Sequence, residues 1–399
     1  QRRNTVLKTK YILMIFILLI VLHAHYRRLK QAGSFSCYIR SMLWDPSYNR
    51  NRIKAYDYIR VLAVVFVISA HVVQSDSAPA AGTSAFMALR IMAVLFLNCN
   101  LLFVMLSGAL LLNQKEEPVS VFYRKRVFKV GIPMAVYYLF YLYMGLYQSG
   151  LTDPKNLLDA CRRFLSGPSQ WNPHFWLMYV ILAFYLAAPF FKVMVQNMSD
   201  RLLLSFVVLT FFMNGALSWL PLLGIEFHFV TLLCGWESVF VFGYFWTRPF
   251  SSRYRKPFMI LGAASFLITA AISCILPDYT DAFLNKAPTM LFMSGAIFSW
   301  FTGMEEKLKK PGPAVRIISK YGFSILLIHW YILHHTAEEQ LGLYASSWGI
   351  LGGTAVTVAV TLVLSFLFAF VFDQTAVLCV NTLCSALSRG LGQLKRLRR

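Results

Sequence analysis

Apolar runs of about 17 to 24 residues alternate with short polar or basic connections along most of this chain. Ten such runs fall at roughly 58–75, 91–112, 127–148, 174–195, 202–220, 228–247, 257–276, 288–304, 319–336 and 349–372. Each approaches the ~20 apolar residues that carry a helix across a hydrocarbon core. A further run, YILMIFILLIVL at 11–22, follows a basic start with Arg2, Arg3, Lys8 and Lys10. It resembles a signal-peptide core or a short anchor, yet no small-residue cleavage site follows. With only about 12 to 15 apolar residues it falls short of a full span and reads as an interfacial or marginal helix, leaving open whether it crosses. The predicted fold is therefore all-α and polytopic: a ten-helix transmembrane bundle plus a marginal N-terminal apolar helix. Residues 1–55 form a basic lead-in, 56–373 the transmembrane domain and 374–399 a basic tail. No internal repeat of the kind found in many transporters is visible, and no polar stretch is long enough for an appended soluble domain.

Composition supports the same class. The 399 residues are 58% hydrophobic and 14% charged, with a mean hydropathy of +0.57, whereas soluble domains are about a quarter charged. A net charge of +21 raises nucleic acid as a partner, but its distribution argues for a membrane topology. With residues 1–60 inside, the inner segments hold 33 of the 38 Lys and Arg, and the outer ones only Arg90, Lys155, Arg162, Arg163 and Lys286. That bias places both ends of the ten-span unit in the cytoplasm. The seven cysteines are scattered and show no disulfide framework or zinc spacing. In the longest outer loop, Leu157, Leu158, Cys161, Phe164 and Leu165 recur at the spacing of a helix lying on the membrane surface.

Candidate chemistry concentrates where ionisable groups interrupt apolar runs, because such groups are costly in a bilayer. Arg60 and His71 are eleven residues apart in DYIRVLAVVFVISAH. At 100° per residue they share one helix face, roughly 16 Å apart along the axis. His71 is either a functional group or a histidine bonded between helices. Arg60 is either functional or snorkels to headgroups, and Asp57 favours the helix N-terminus. Glu237 is the only carboxylate of the sixth span; placed halfway through it, the group needs a partner or a proton. Arg124, Lys125, Arg126 and Lys129, at the start of the third span, either set topology or hold phosphates. His174, Trp171, Trp176 and Tyr179 fit an interfacial aromatic belt. His329 is mid-span, whereas His334 and His335 fall nearer the outer surface. These three histidines have no carboxylate beside them in this reading and make a poor metal site, so no metal is expected. Ser107 and Gly108 permit close helix approach.

Together these stretches resemble the membrane-bound acyltransferase-3 family, integral-membrane O-acyltransferases of cell-envelope and polysaccharide modification. The resemblance rests on Arg60 and His71 within YDYIRVLAVVFVISAH, and on LLFVMLSGALLL, FYRKRVFKVGIP, HFWLMYVILAFYLAAPF, VFVFGYFW and ISKYGFSILLIHWYIL, in order over about residues 53–372. It departs from the family at the basic cluster, which is not a clean arginine pair, and does not cover the first 50 residues. It implies acyl transfer from cytoplasmic acyl-CoA, usually acetyl-CoA, to a sugar or polysaccharide hydroxyl in a bacterial cytoplasmic membrane. His71 would act as general base or transient acyl carrier, with Arg60 and Glu237 as catalytic partners. Arg60, Arg124, Arg126 and Lys129 would hold the CoA phosphates, and Asp57, His174, Trp176 and His329 would meet the acceptor. Membrane lipids are further partners, nucleic acid is not expected, and homodimer formation is left open. The competing class is a transporter or flippase of an envelope precursor, without covalent chemistry. A third is a sensor or amino-acid-handling membrane domain of the kind fused to racemases.

Overall fold

In a computed structural model, the structure describes residues 2–44, 52–75, 79–148, 158, 162, 164–225 and 233–397. Among the described residues every named element is helical, as lipid demands of a chain whose backbone groups must be satisfied internally. The α-helices are α1 (Arg2–Ala32), α2 (Phe35–Leu43), α3 (Lys54–Ser75), α4 (Ser84–Phe96) and α5 (Asn98–Leu112). They continue with α6 (Val119–Arg126), α7 (Ile132–Gln148), α8 (Trp176–Gln196), α9 (Asp200–Trp219) and α10 (Trp236–Phe245). The last five are α11 (Arg255–Ile275), α12 (Pro288–Gly303), α13 (Pro313–Tyr331), α14 (Ile350–Phe372) and α15 (Leu378–Leu397).

Seven helical stretches among the described residues are long and apolar enough to cross a membrane: Lys54–Ser75, Ser84–Leu112, Val119–Gly145, Pro173–Gln196, Asp200–Leu223, Pro249–Ile275 and Ile350–Arg389. The protein is thus an all-α polytopic membrane protein. The other three expected spans coincide with shorter or more polar helices. At 10 residues α10 is about 15 Å long and at 16 residues α12 about 24 Å, both under the ~30 Å core. Helix α13 carries Arg316 and Lys320 in its first turns. Part of the expected sixth span, 228–232, lies outside the described residues, as do the side chains of residues 2–13. The stretch 26–44, expected only as a polar lead-in, is mostly helical. Ser34 caps α2 by accepting the Cys37 N–H at 3.2 Å, which satisfies one of the free donors at its start.

The chain divides into two compact units. One comprises residues 1–50, 124–173 and 366–399. There His25 donates from Nε2 to the Gln374 carbonyl at 2.9 Å and takes the Tyr38 hydroxyl at Nδ1, while Tyr137 donates to Asp373 at 3.0 Å. In the surface-helix stretch of this unit, Leu158, Arg162, Phe164 and Leu165 are helical. Phe164 meets Tyr138 edge-on, whereas Leu165 is 86% exposed. Leu157 and Cys161 lie outside the described residues.

The other unit comprises residues 51–123 and 174–365. Within it α5 crosses α10, and α3 packs against α4, α5 and α13. The α5–α10 crossing depends on two glycines. A Cβ on Gly108 would sit 1.8 Å from the Phe240 carbonyl oxygen, and one on Gly243 1.9 Å from that of Met105. Backbone cannot yield as a side-chain tip does, so the Ser107–Gly108 stretch serves close approach. Gly108→Ala is expected to cost about 3 kcal/mol or somewhat less by overpacking, seen as a lower thermal unfolding midpoint in detergent. An unchanged midpoint would mean that the crossing tolerates the methyl group.

The start of α3 is held from the loop after α12. Glu305 accepts the Lys54 and Ala55 backbone N–H groups at 2.9 and 2.7 Å, and Lys54 Nζ donates to the Leu308 carbonyl at 2.6 Å. A carboxylate on the free N–H groups of a helix start is the favoured pairing. It fixes the axial position of everything α3 carries.

Candidate active site

Helices α3 and α13 run parallel, and their contact is polar at both ends. Arg60 of α3 meets Ser319 of α13, and eleven residues on, His71 meets His329, ten residues beyond Ser319. Between these rungs the seam is apolar and tight: a Cβ on Gly322 would lie 3.2 Å from Val64 Cγ2 and 3.6 Å from the Arg60 stem. The common face inferred for Arg60 and His71 is the face that α13 covers.

At the Arg60 end, four residues close a network. Asp57, 1% exposed, accepts from Arg52 through Nε at 2.8 Å and Nη2 at 2.6 Å, a bidentate pair. It also accepts the Ser319 hydroxyl at 2.6 Å and Arg60 Nη1 at 3.2 Å. Arg60 Nη1 donates to Ser319 Oγ at 2.7 Å as well. Asp57 therefore holds two guanidinium groups and leaves the trio a net single positive charge.

At the His71 end, four aromatic rings interlock. His71 stacks on His329 with centroids 5.3 Å apart and planes at 29°, and meets Trp330 perpendicularly with centroids 5.0 Å apart. His174 stacks on Trp330 at 5.7 Å and 13°, and meets His329 at 5.1 Å. His174 Nε2 donates to the Leu327 carbonyl at 3.2 Å, and His329 Nδ1 to the Leu326 carbonyl at 2.8 Å. A carbonyl only accepts, so neutral His329 carries its proton on Nδ1 and its lone pair on Nε2. That Nε2 is buried with no hydrogen-bond partner among the described residues. Behind the rings, Trp330 packs against His334 at 4.2 Å. His334 Nδ1 bonds Glu338 at 2.7 Å, and Glu338 also takes the Ser75 hydroxyl. His71 itself makes no hydrogen bond among the described residues. It is partly exposed to a cavity of about 40 Å³ that Gln74, Asn100, His174, Trp176 and His329 also line. That volume admits a water-sized group, such as one hydroxyl.

The structure brings together Asp57 and Arg60 at one end and His71, His174 and His329 at the other, with Trp176 on the cavity wall. Glu237 is a correction. It lies not midway along a helix but in the first turn of α10, which begins at Trp236; it is partly exposed and accepts the Gly235 N–H at 2.9 Å. No hydrogen bond or ion pair joins it to His71 among the described residues. His334 is 24% exposed and braces Trp330. Arg124, Arg126 and Lys129 belong to the other unit, at the end of α6 and the π-helical turn Val127–Gly131, with Arg124 and Lys129 exposed.

Four residues escaped the sequence reading. Arg52 and Ser319 gave no signal, because their roles arise from pairings across the fold. Trp330 lay unremarked beside His329, and Glu338, four residues after His334, has the spacing of an ion pair within one helix.

A family model described as an acyltransferase domain matches residues 53–370, about four-fifths of the chain and all of the unit that holds both polar rungs except its first two residues. With the apolar helices, this defines a membrane acyltransferase. The chain belongs to the acyltransferase-3 family. Neither the comparison with curated proteins nor that with solved structures gave a match.

Proposed function

We propose that the protein is an acyl-CoA-dependent O-acyltransferase. It takes an acetyl group from cytoplasmic acetyl-CoA and gives it to a hydroxyl of a cell-envelope sugar or polysaccharide precursor. The observation that carries this reading is the α3–α13 seam, with guanidinium groups at one end and, roughly 16 Å along the same face, an imidazole in a small cavity with no hydrogen bond among the described residues. Guanidinium groups suit phosphates, and Arg60 and Arg52, pre-oriented by Asp57, would receive those of CoA.

At the other end, neutral His71 accepts the proton of the acceptor hydroxyl as its oxygen adds to the thioester carbonyl. The C–S bond then breaks, and the departing thiolate takes that proton from the imidazolium, which leaves His71 neutral. Alternatively, His71 carries the acyl group between donor and acceptor. His329 and His174, anchored on carbonyls of α13, hold the His71 ring in place. Glu237, fixed at the start of α10, is not assigned to this step.

The test is incubation of the purified protein in detergent with acetyl-labelled acetyl-CoA. Release of free CoA and movement of label to water or an added acceptor is expected; absence of CoA consumption would favour transport without covalent chemistry. In the same assay Arg60→Ala is expected to raise KM for acetyl-CoA about tenfold, the equivalent of one lost charge-assisted contact of about 1.4 kcal/mol. An unchanged KM would remove Arg60 from phosphate binding.

A further inference from the structure

The cavity beside His71 is too small for a sugar, yet a much larger groove shares one of its walls. That groove, about 560 Å³, is lined by Trp176, Asn214, Trp236, Asp281, Asn285 and Lys286, with apolar residues between them. Trp176 also lines the His71 cavity, so a ring held in the groove lies one side chain away from the imidazole's cavity. We propose that this groove binds the acceptor, taking one pyranose ring of a glycan so that a single hydroxyl passes Trp176 toward His71. The inference rests on the O-acyltransferase reading for its purpose, and on the groove for its chemistry.

Three features fit a pyranose. Trp176 and Trp236 have ring centroids 5.3 Å apart and planes at 44°, forming an open indole corner. Aromatic faces of this kind offer large, rigid apolar area to the C–H faces of a sugar while their edges stay polar. Next, Asn214 has an unmet need. Its Nδ2 donates to the Thr210 carbonyl at 2.8 Å and to Ser238 Oγ at 3.3 Å, which fixes the amide orientation. Its Oδ1 is buried without a partner among the described residues, in a residue 1% exposed. An acceptor atom left so is costly until a donor such as a sugar hydroxyl arrives. Lastly, the rim carries donors and acceptors together. Asn285 adopts a left-handed φ of +57°, tolerated by Asn more readily than by most residues. Lys286, the next residue, has its Nζ 5.6 Å from the Trp236 centroid. Asp281 stands exposed on the same rim, so the groove is not a one-sign anion trap. A few convergent polar groups around an aromatic surface is the pattern of a small-ligand site.

The test titrates the purified full chain in detergent, without any acyl-CoA, against methyl glucoside, methyl galactoside, methyl N-acetylglucosaminide and cellobiose, following tryptophan fluorescence. Saturable quenching by at least one glycoside is expected. Asn214→Leu and Lys286→Gln are each expected to raise its half-saturating concentration about tenfold, with an unchanged unfolding midpoint for Lys286→Gln, which serves where Asn214→Leu fails to fold. No saturable response to any of the four, or an unshifted midpoint of binding in the folded variants, would overturn the proposal. Glycoside binding by a wild-type protein that consumes no acetyl-CoA would overturn the acyl-transfer reading and leave the groove standing.

Discussion

Replacing His71 by Gln is expected to lower the rate of acetyl transfer by about 10²- to 10⁴-fold, the range a positioned general base supplies. The protein should remain folded in the membrane, because among the described residues His71 makes no hydrogen bond whose loss would leave a partner unpaired, and Gln retains much of its volume. The loss should fall on kcat and leave KM for acetyl-CoA near its original value, since the seam's phosphate-holding end is untouched. Hydrolysis and transfer measured with labelled acetyl-CoA give both parameters. Transfer at the wild-type rate would reject the catalytic assignment. His329→Ala is expected to have a smaller effect on rate, because His329 acts through the ring it stacks on.

Asp57→Ala carries the largest expected effect on stability. Asp57 is buried and accepts from Arg52, Arg60 and Ser319 at once. Its removal leaves two guanidinium groups facing each other without their shared counter-charge. Breaking a fully buried pair costs about 3 to 5 kcal/mol, and the arginines, at 32% and 25% exposed, retain partial access to other partners. The lower end, about 3 kcal/mol, is therefore expected, read as a fall in the denaturant midpoint at neutral pH. Asp57→Asn keeps the hydrogen-bonding shape but not the charge and should fall between wild type and Ala. Equal stability of all three would show that the network does not bear on folding.

What the sequence revealed was local, and what it concealed was the company each residue keeps. The interval from Arg60 to His71 defined a helix face directly, because helical geometry turns spacing into direction. Nothing in that interval indicates that Ser319 and His329, some 260 residues later, cover the face with nearly the same spacing. The parallel seam became visible only when the chain had folded. Glu237 shows the opposite failure. A continuous apolar run from 228 to 247 put it mid-span, but α10 starts after Gly235, and the carboxylate turns back to accept the Gly235 N–H. Hydropathy measures how apolar a stretch is, not where its helix begins. His334 drew notice only for its position in the run, although Glu338 four residues on was the cue to the ion pair that holds it. Trp176, read as part of an aromatic belt or an acceptor contact, turned out to separate a cavity from a groove, a distinction that no linear pattern contains.

The central claim is that α3 and α13 form a track with a phosphate end and a chemical end. A structure of the protein bound to a non-hydrolysable acetyl-CoA analogue tests it most directly. Phosphate oxygens within hydrogen-bonding distance of the Arg60 or Arg52 guanidinium, together with the thioester-equivalent carbon beside the His71 ring, are expected. An analogue bound with its phosphates away from both arginines, or its acyl carbon remote from His71, would contradict the account.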